Sequence, residues 1–123
     1  MQFNGKELTA IAKMAKAMTF ADGKVDPNEM KVMALEFIRF GVPQTDLELI
    51  LNAADAMDSD EAIRIISSFD TERKKYVAAY LGLIMVADKN VDEKELALWK
   101  LISTLCSLPT MSIGDALDFM KNL

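Results

Sequence analysis

The sequence predicts an all-α fold: a compact single-domain bundle of about seven helices with an internal pseudo-twofold repeat of helix–acidic loop–helix units. Three observations lead there. Apolar residues recur at helical spacing along the chain, and no stretch alternates with period two for long enough to be a strand. Only 5 Gly and 3 Pro interrupt 123 residues, so turns are few. The stretch "ADGKVDPNE", residues 21–29, returns as "ADKNVDEKE", residues 87–95, sixty-six positions on (87 − 21), with Ala, Asp, Val, Asp and Glu in identical places.

The helix signals divide the chain in order. Asn4 with Glu7 three residues on is a capping box, opening a first helix through about Phe20. Asp26-Pro27-Asn28-Glu29 is a fuller start signal, with Asp as cap, Pro at the first helical position and Glu three after the cap. This second helix carries Met30, Met33, Phe37 and Phe40 on one stripe and stops at Gly41, with Pro43 beyond. Thr45 with Glu48 predicts a third helix to about Ala56, and Asp58 with Glu61 a fourth ending near Phe69. Asp70 caps a long fifth helix to about Ala87, apolar almost all round and therefore expected at the centre. Asp92 and Glu95 open a sixth, with Leu96, Trp99, Ile102, Leu105 and Cys106 towards the core. Ser112 and Asp115 open the last, after Pro109.

The whole chain, 1–123, therefore reads as one domain, with repeat units at about 8–41 and 74–108. Each unit is an apolar helix, an acidic loop and an amphipathic helix (Met14 and Met18 opposite Tyr80 and Ile84, then Met30 and Met33 opposite Leu96 and Trp99). Two such units can pack about a pseudo-twofold axis.

Composition limits function. A net charge of −5 argues against a phosphate-backbone binder, which needs a positive surface. No nucleic-acid partner is expected, and the short basic run Arg73-Lys74-Lys75 reads as a solvated helix face. The most apolar run, "YVAAYLGLIMVA", is too short to cross a bilayer, and the N-terminus lacks the basic-then-apolar pattern of a signal peptide. With a single cysteine the chain is expected to be cytoplasmic. Cys106, between leucines and without any histidine as a base, is expected to be a buried thiol and not a nucleophile. No phosphate-binding glycine loop or catalytic triad pattern is present, so no enzymatic activity and no organic cofactor are expected.

The acidic motifs carry the remaining chemistry. Asp26 and Asp92 are good helix N-caps, and Glu29 and Glu95 can close capping boxes. Capping leaves Asp22 and Asp88 unexplained, because they follow a helix C-terminus, where the dipole disfavours negative charge. Against a calcium loop with ligands at positions 1, 3, 5, 7, 9 and 12, Asp22 falls at 5, Gly23 at 6, Asp26 at 9 and Glu29 at 12. Asp88, Asp92 and Glu95 repeat the pattern, with Lys89 in the glycine's place. Positions 1 and 3 are apolar in both copies (Met18 and Phe20, Ile84 and Val86), so neither loop is a self-sufficient EF-hand. A shared site would be hard and oxygen-only, built from Asp22, Asp26, Glu29, Asp88, Asp92 and Glu95, and suited to Ca²⁺, Mg²⁺ or Mn²⁺. The same carboxylates also serve as caps, with Lys24, Lys89 and Lys94 available for ion pairing.

"MTFADGKVDPNEMKVM" together with "LIMVADKNVDEKELALW" resembles the TerB-like domain, named for tellurite-resistance protein B, over about residues 8–108. The resemblance implies a seven-helix fold and two acidic motifs that bind a divalent metal. It further implies a role in bacterial stress response through protein partners in a membrane-associated complex. Lys89 and Asn90 depart from the glycine turn that the family pattern prefers. Two functions follow as expectations: a non-enzymatic divalent-cation-binding module, or a metal-free interaction scaffold whose acidic motifs only cap helices.

Overall fold

The computed structural model describes residues 2–21, 23, 27–87 and 91–123. They form seven helices and no strand: α1 (Gly5–Thr19), α2 (Pro27–Arg39), α3 (Gln44–Ala56), α4 (Ser59–Ser67), α5 (Thr71–Met85), α6 (Glu93–Leu105) and α7 (Ile113–Lys121). No helix among them is long and apolar enough to cross a membrane.

Several helix starts are set by the side chains that the sequence singles out. Asn4 accepts from the Glu7 N–H at 2.8 Å while the Glu7 carboxylate accepts from the Asn4 N–H at 2.8 Å. Ser112 and Asp115 form the same reciprocal box on α7. Asp70 accepts from the Arg73 N–H at 2.9 Å, and each such cap adds about 1 kcal/mol. The Asp26 cap predicted for α2 lies outside the described residues. At the far end of α2, Gly41 adopts φ +83, a left-handed conformation that costs glycine nothing.

Two expected starts differ. α3 begins at Gln44 with Pro43 as its cap and no side-chain cap bond, so Thr45 and Glu48 do not form the predicted box. Pro43, with its fixed φ of −57, already directs the chain into the helix one residue earlier. Asp58 does cap α4 by position but without a side-chain bond, and Glu61 turns instead to Lys6 Nζ at 3.1 Å.

The core is built around two helices side by side. α5 is buried from Tyr76 to Gly82 and again at Ile84 and Met85. α1 is buried almost as completely, from Leu8 to Ala12 and at Met14, Ala15 and Met18. Phe3, just ahead of α1, packs on Phe69 and Tyr76 at the start of α5 (ring centroids 5.4 and 5.7 Å) and on Phe40 at the end of α2 (5.4 Å). Arg73 lies over the Phe3 ring and reaches Glu7 Oε2 at 3.2 Å. The first residue of the basic run is therefore held against α1 and not free in solvent, while Lys75 pairs with Glu72 at 3.4 Å.

These contacts fix direction. The starts of α1 and α5 lie together with the end of α2, so α1 and α5 run parallel and α2 runs back against both. Further along, Phe37 meets Tyr80 edge to face, and the Tyr80 hydroxyl donates to the Met33 carbonyl at 3.1 Å. On the other side α6 returns along α5, with Trp99 Nε1 donating to the Ala78 carbonyl at 3.0 Å. α6 also touches α1, α3 and α4 cover α1, and α7 covers α5. Of the expected α6 stripe, Trp99, Ile102 and Cys106 are buried and Leu96 is half-buried. Leu105 instead remains 47 % exposed, because the helix ends there and Cys106 takes the inward position.

A candidate acidic site where the helix pairs meet

Because α1 and α5 are parallel and α2 and α6 both return, two C-termini and two N-termini lie at the same end of the bundle. The end of α1 is followed by the start of α2, and the end of α5 by the start of α6. Helix bounds and end bonds recur at the spacing of the acidic motif. α5 starts and ends sixty-six positions after α1 (71 − 5, 85 − 19), and α6 stands in the same relation to α2 (93 − 27, 105 − 39). The Phe20 N–H donates to the Lys16 carbonyl at 3.1 Å, as Val86 does to Gly82 at 3.3 Å. The Ala21 and Ala87 N–H groups likewise donate to Met18 and Ile84.

The six carboxylates predicted as ligands divide in two. Glu29, Asp92 and Glu95 are described; Asp22, Asp26 and Asp88 lie outside the described residues. Asp92 accepts from the Lys94 N–H at 2.7 Å and from the Glu95 N–H at 3.4 Å, a helix cap as expected. Glu29 and Glu95 occupy the first turns of α2 and α6 and are each only 2 % exposed. Among the described residues they are the two buried charged side chains, and neither lacks a partner.

That burial is not what a capping role alone requires. Asp115, which closes the box on α7, is exposed, and the Glu7 side chain keeps 20 % of its surface. Withdrawing a carboxylate from water costs several kcal/mol unless an ion or hydrogen-bond donors replace the hydration. Met18 and Ile84, at calcium-loop position 1 in the two copies, are fully buried apolar anchors. They fasten the helix end to the core and offer no ligand. Gly23 takes φ +78, so the glycine at position 6 makes the left-handed turn that a calcium loop uses there. Among the described residues no three Asp, Glu, Cys or His side chains form a group that could hold a metal ion.

Other chemistry is remote from this end. Cys106 is buried and its thiol is pushed up to about 11 by desolvation, with Lys74 opposing, so little thiolate exists at neutral pH. Tyr76 donates to Glu36 at 3.0 Å, and Glu36 in turn pairs with Arg39 at 2.6 Å. Burial first, and the Glu36 charge second, raise both the Tyr76 and Tyr80 hydroxyls well above their ordinary range.

No family model matches the chain. No protein of curated function matches it either. Among solved structures, the crystal structure of PG1108 from Porphyromonas gingivalis W83, a protein of unknown function, is 55 % identical with a TM-score of 0.89. The match covers 100 % of this chain and 99 % of that one. The chain belongs to the same family as PG1108. The all-α architecture is thus shared with an experimental structure over the full length, and the relative's description carries no activity across.

Proposed function

We propose that the chain is a non-enzymatic TerB-like domain whose two acidic loops together bind one divalent cation, Ca²⁺, Mg²⁺ or Mn²⁺, and that it works through a protein partner. The observation that carries this reading is the burial of Glu29 and Glu95. Two carboxylates sixty-six positions apart are withdrawn from solvent in the first turns of helices that start at the same end of the bundle. Each glutamate already has a partner within the fold, and a hard cation adds to it by neutralising, with oxygen ligands alone, the negative charge gathered at this end of the bundle. Asp92 caps α6 and does not form a three-carboxylate group with Glu29 and Glu95, so the reading relies on Asp22, Asp26 and Asp88, proposed by motif, to supply the further oxygen donors.

The internal repeat belongs to the same proposal. It is supported by the constant offset of helix bounds and end bonds, and by α1 contacting α6 as α5 contacts α2. A stress-response role, a cytoplasmic location and a membrane-associated complex follow from the TerB resemblance and stand as parts of the proposal. The metal-free scaffold keeps one observation in its favour: Asp92 is engaged in capping α6.

Thermal melting separates the readings. Millimolar Ca²⁺ or Mn²⁺ raises the melting temperature if the native state alone binds the cation, the added stability being about 2.7 kcal/mol at a hundred times the dissociation constant. Asp22→Asn with Asp88→Asn removes that rise and leaves helicity intact. Identical melting curves with and without all three cations contradict the metal reading and leave the scaffold.

A further inference from the structure

At the opposite end of α6 from Glu95 the chain leaves the helix through Ser107, the one described non-glycine residue with positive φ, at +56. The matching position of the first unit is Gly41 (107 − 41 is again sixty-six), at φ +83. The bonds around the two turns correspond. Val42 N–H donates to the Phe37 carbonyl at 3.2 Å, and Leu108 N–H to Ser103 at 2.8 Å; Gly41 donates to Ile38 at 2.9 Å, and Ser107 to Thr104 at 3.3 Å. Glycine takes this left-handed conformation without steric cost and serine does not. The second turn therefore carries a side chain where backbone energetics favour none.

Ser107 lines a cleft of about 440 Å³, within the range of small-molecule sites. Its apolar lining residues are Met111, which is half-buried, and the largely buried Trp99 and Leu108. Four hydroxyl-bearing residues, Ser103, Thr104, Ser107 and Thr110, share the lining with Lys100, and of these hydroxyls the Thr104 one already donates to the Lys100 carbonyl at 3.0 Å. No carboxylate lines it, in a chain with 19 acidic residues and a net charge of −5. The composition thus disfavours a cation and offers hydroxyl groups beside one positive charge. The α6 C-terminal dipole opposes an anion here, but the Ser103 and Thr104 carbonyls are already engaged by the Leu108 and Ser107 N–H groups.

We propose that this cleft binds a small organic carboxylate with a short apolar body, its oxygens held by Lys100 and the Ser107 hydroxyl and its hydrocarbon laid against Trp99, Leu108 and Met111. The site is independent of the cation reading, since it lies at the other end of α6.

Trp99 is the only tryptophan in the chain, so its fluorescence reports on the cleft directly. Titration of the full chain with hexanoate should give a saturable change that hexanol, the uncharged analogue, does not. Ser107→Gly, which relieves the left-handed strain and so folds, should weaken hexanoate about tenfold by removing one charge-assisted hydrogen bond. Lys100→Gln should weaken it at least as much. A linear response to hexanoate overturns the proposal, as do equal responses to hexanol or unchanged binding in either variant.

Discussion

Gly82 of α5 lies close against Trp99 of α6 and Ala116 of α7. A methyl group at this position would lie 2.9 Å from Trp99 Cζ2 and 3.0 Å from Ala116 Cβ. The indole cannot swing aside freely, because its Nε1 is bonded to the Ala78 carbonyl at 3.0 Å in the same helix. In an unhindered helix interior, Gly→Ala gains about 1 kcal/mol. Overpacking a core that cannot relax costs about 1–3 kcal/mol, so Gly82→Ala should be net destabilising by about 1 kcal/mol or somewhat more. For a chain of this size that lowers the melting temperature by roughly 3–6 °C. Differential scanning calorimetry gives the shift, and Trp99 emission reports whether the indole has moved. In a Trp99→Phe background the clashing ring edge is absent while the Ala116 Cβ contact at 3.0 Å remains, so Gly82→Ala should cost clearly less there than in the wild-type background. A melting temperature raised by Gly82→Ala in the wild-type background, with Trp99 emission unchanged, would refute the close packing of α5, α6 and α7 described here.

Three further outcomes are expected. Ser107→Gly should raise stability by about 0.5–1 kcal/mol in urea unfolding, since only the left-handed strain is lost, whereas Gly41→Ala should lower it by about 1–2 kcal/mol. Asp92→Ala should cost about 1 kcal/mol through the lost α6 cap whether or not a cation binds, so a change far above that under metal-free conditions would assign Asp92 more than a cap. Alkaline conditions should destabilise the fold. Cys106 and the tyrosines ionise near 9.0 and 10.0 in the unfolded chain but hold their protons longer when buried, so stability is full below about pH 9 and falls as pH rises. The urea midpoint followed from pH 7 to 11 checks this, and Tyr76→Phe should flatten the decline; a midpoint that rises over that interval would reverse the sign.

Local chemistry accounts for what the sequence made legible. Asn4 with Glu7, Asp70, Asp92, and Ser112 with Asp115 act within one turn of themselves, and each starts a helix where its pattern says it should. Gly41 ends α2 for an equally local reason. The Thr45 box failed because Pro43 set the backbone first. α1 was harder to recognise as a central helix than α5, because it fills its inner face with Ala10, Ala12 and Ala15, whose small side chains give a weak apolar signal. Its burial comes from α3 and α4 closing over it.

The candidate sites depended still more on tertiary context. Glu29 and Glu95 read as ordinary capping-box acids, and nothing in a nine-residue motif reveals that both are buried. That follows only from the parallel run of α1 and α5, which brings the two helix starts to one end. Ser107 did carry a signal, since "GVP" at 41–43 and "SLP" at 107–109 keep the motif's spacing. The apolar–proline ending marks equivalent turns, one with the glycine that the turn prefers and one without.

The central claim is that the repeated acidic motif serves one shared cation. Isothermal titration calorimetry of the metal-free chain with Ca²⁺, Mg²⁺ and Mn²⁺, repeated on the Glu29→Gln, Glu95→Gln double variant, tests it most directly. The account predicts saturable binding of at least one of these ions at one per chain, lost in the double variant while its helicity is kept. No binding heat from any of the three, or two independent ions per chain, would contradict it.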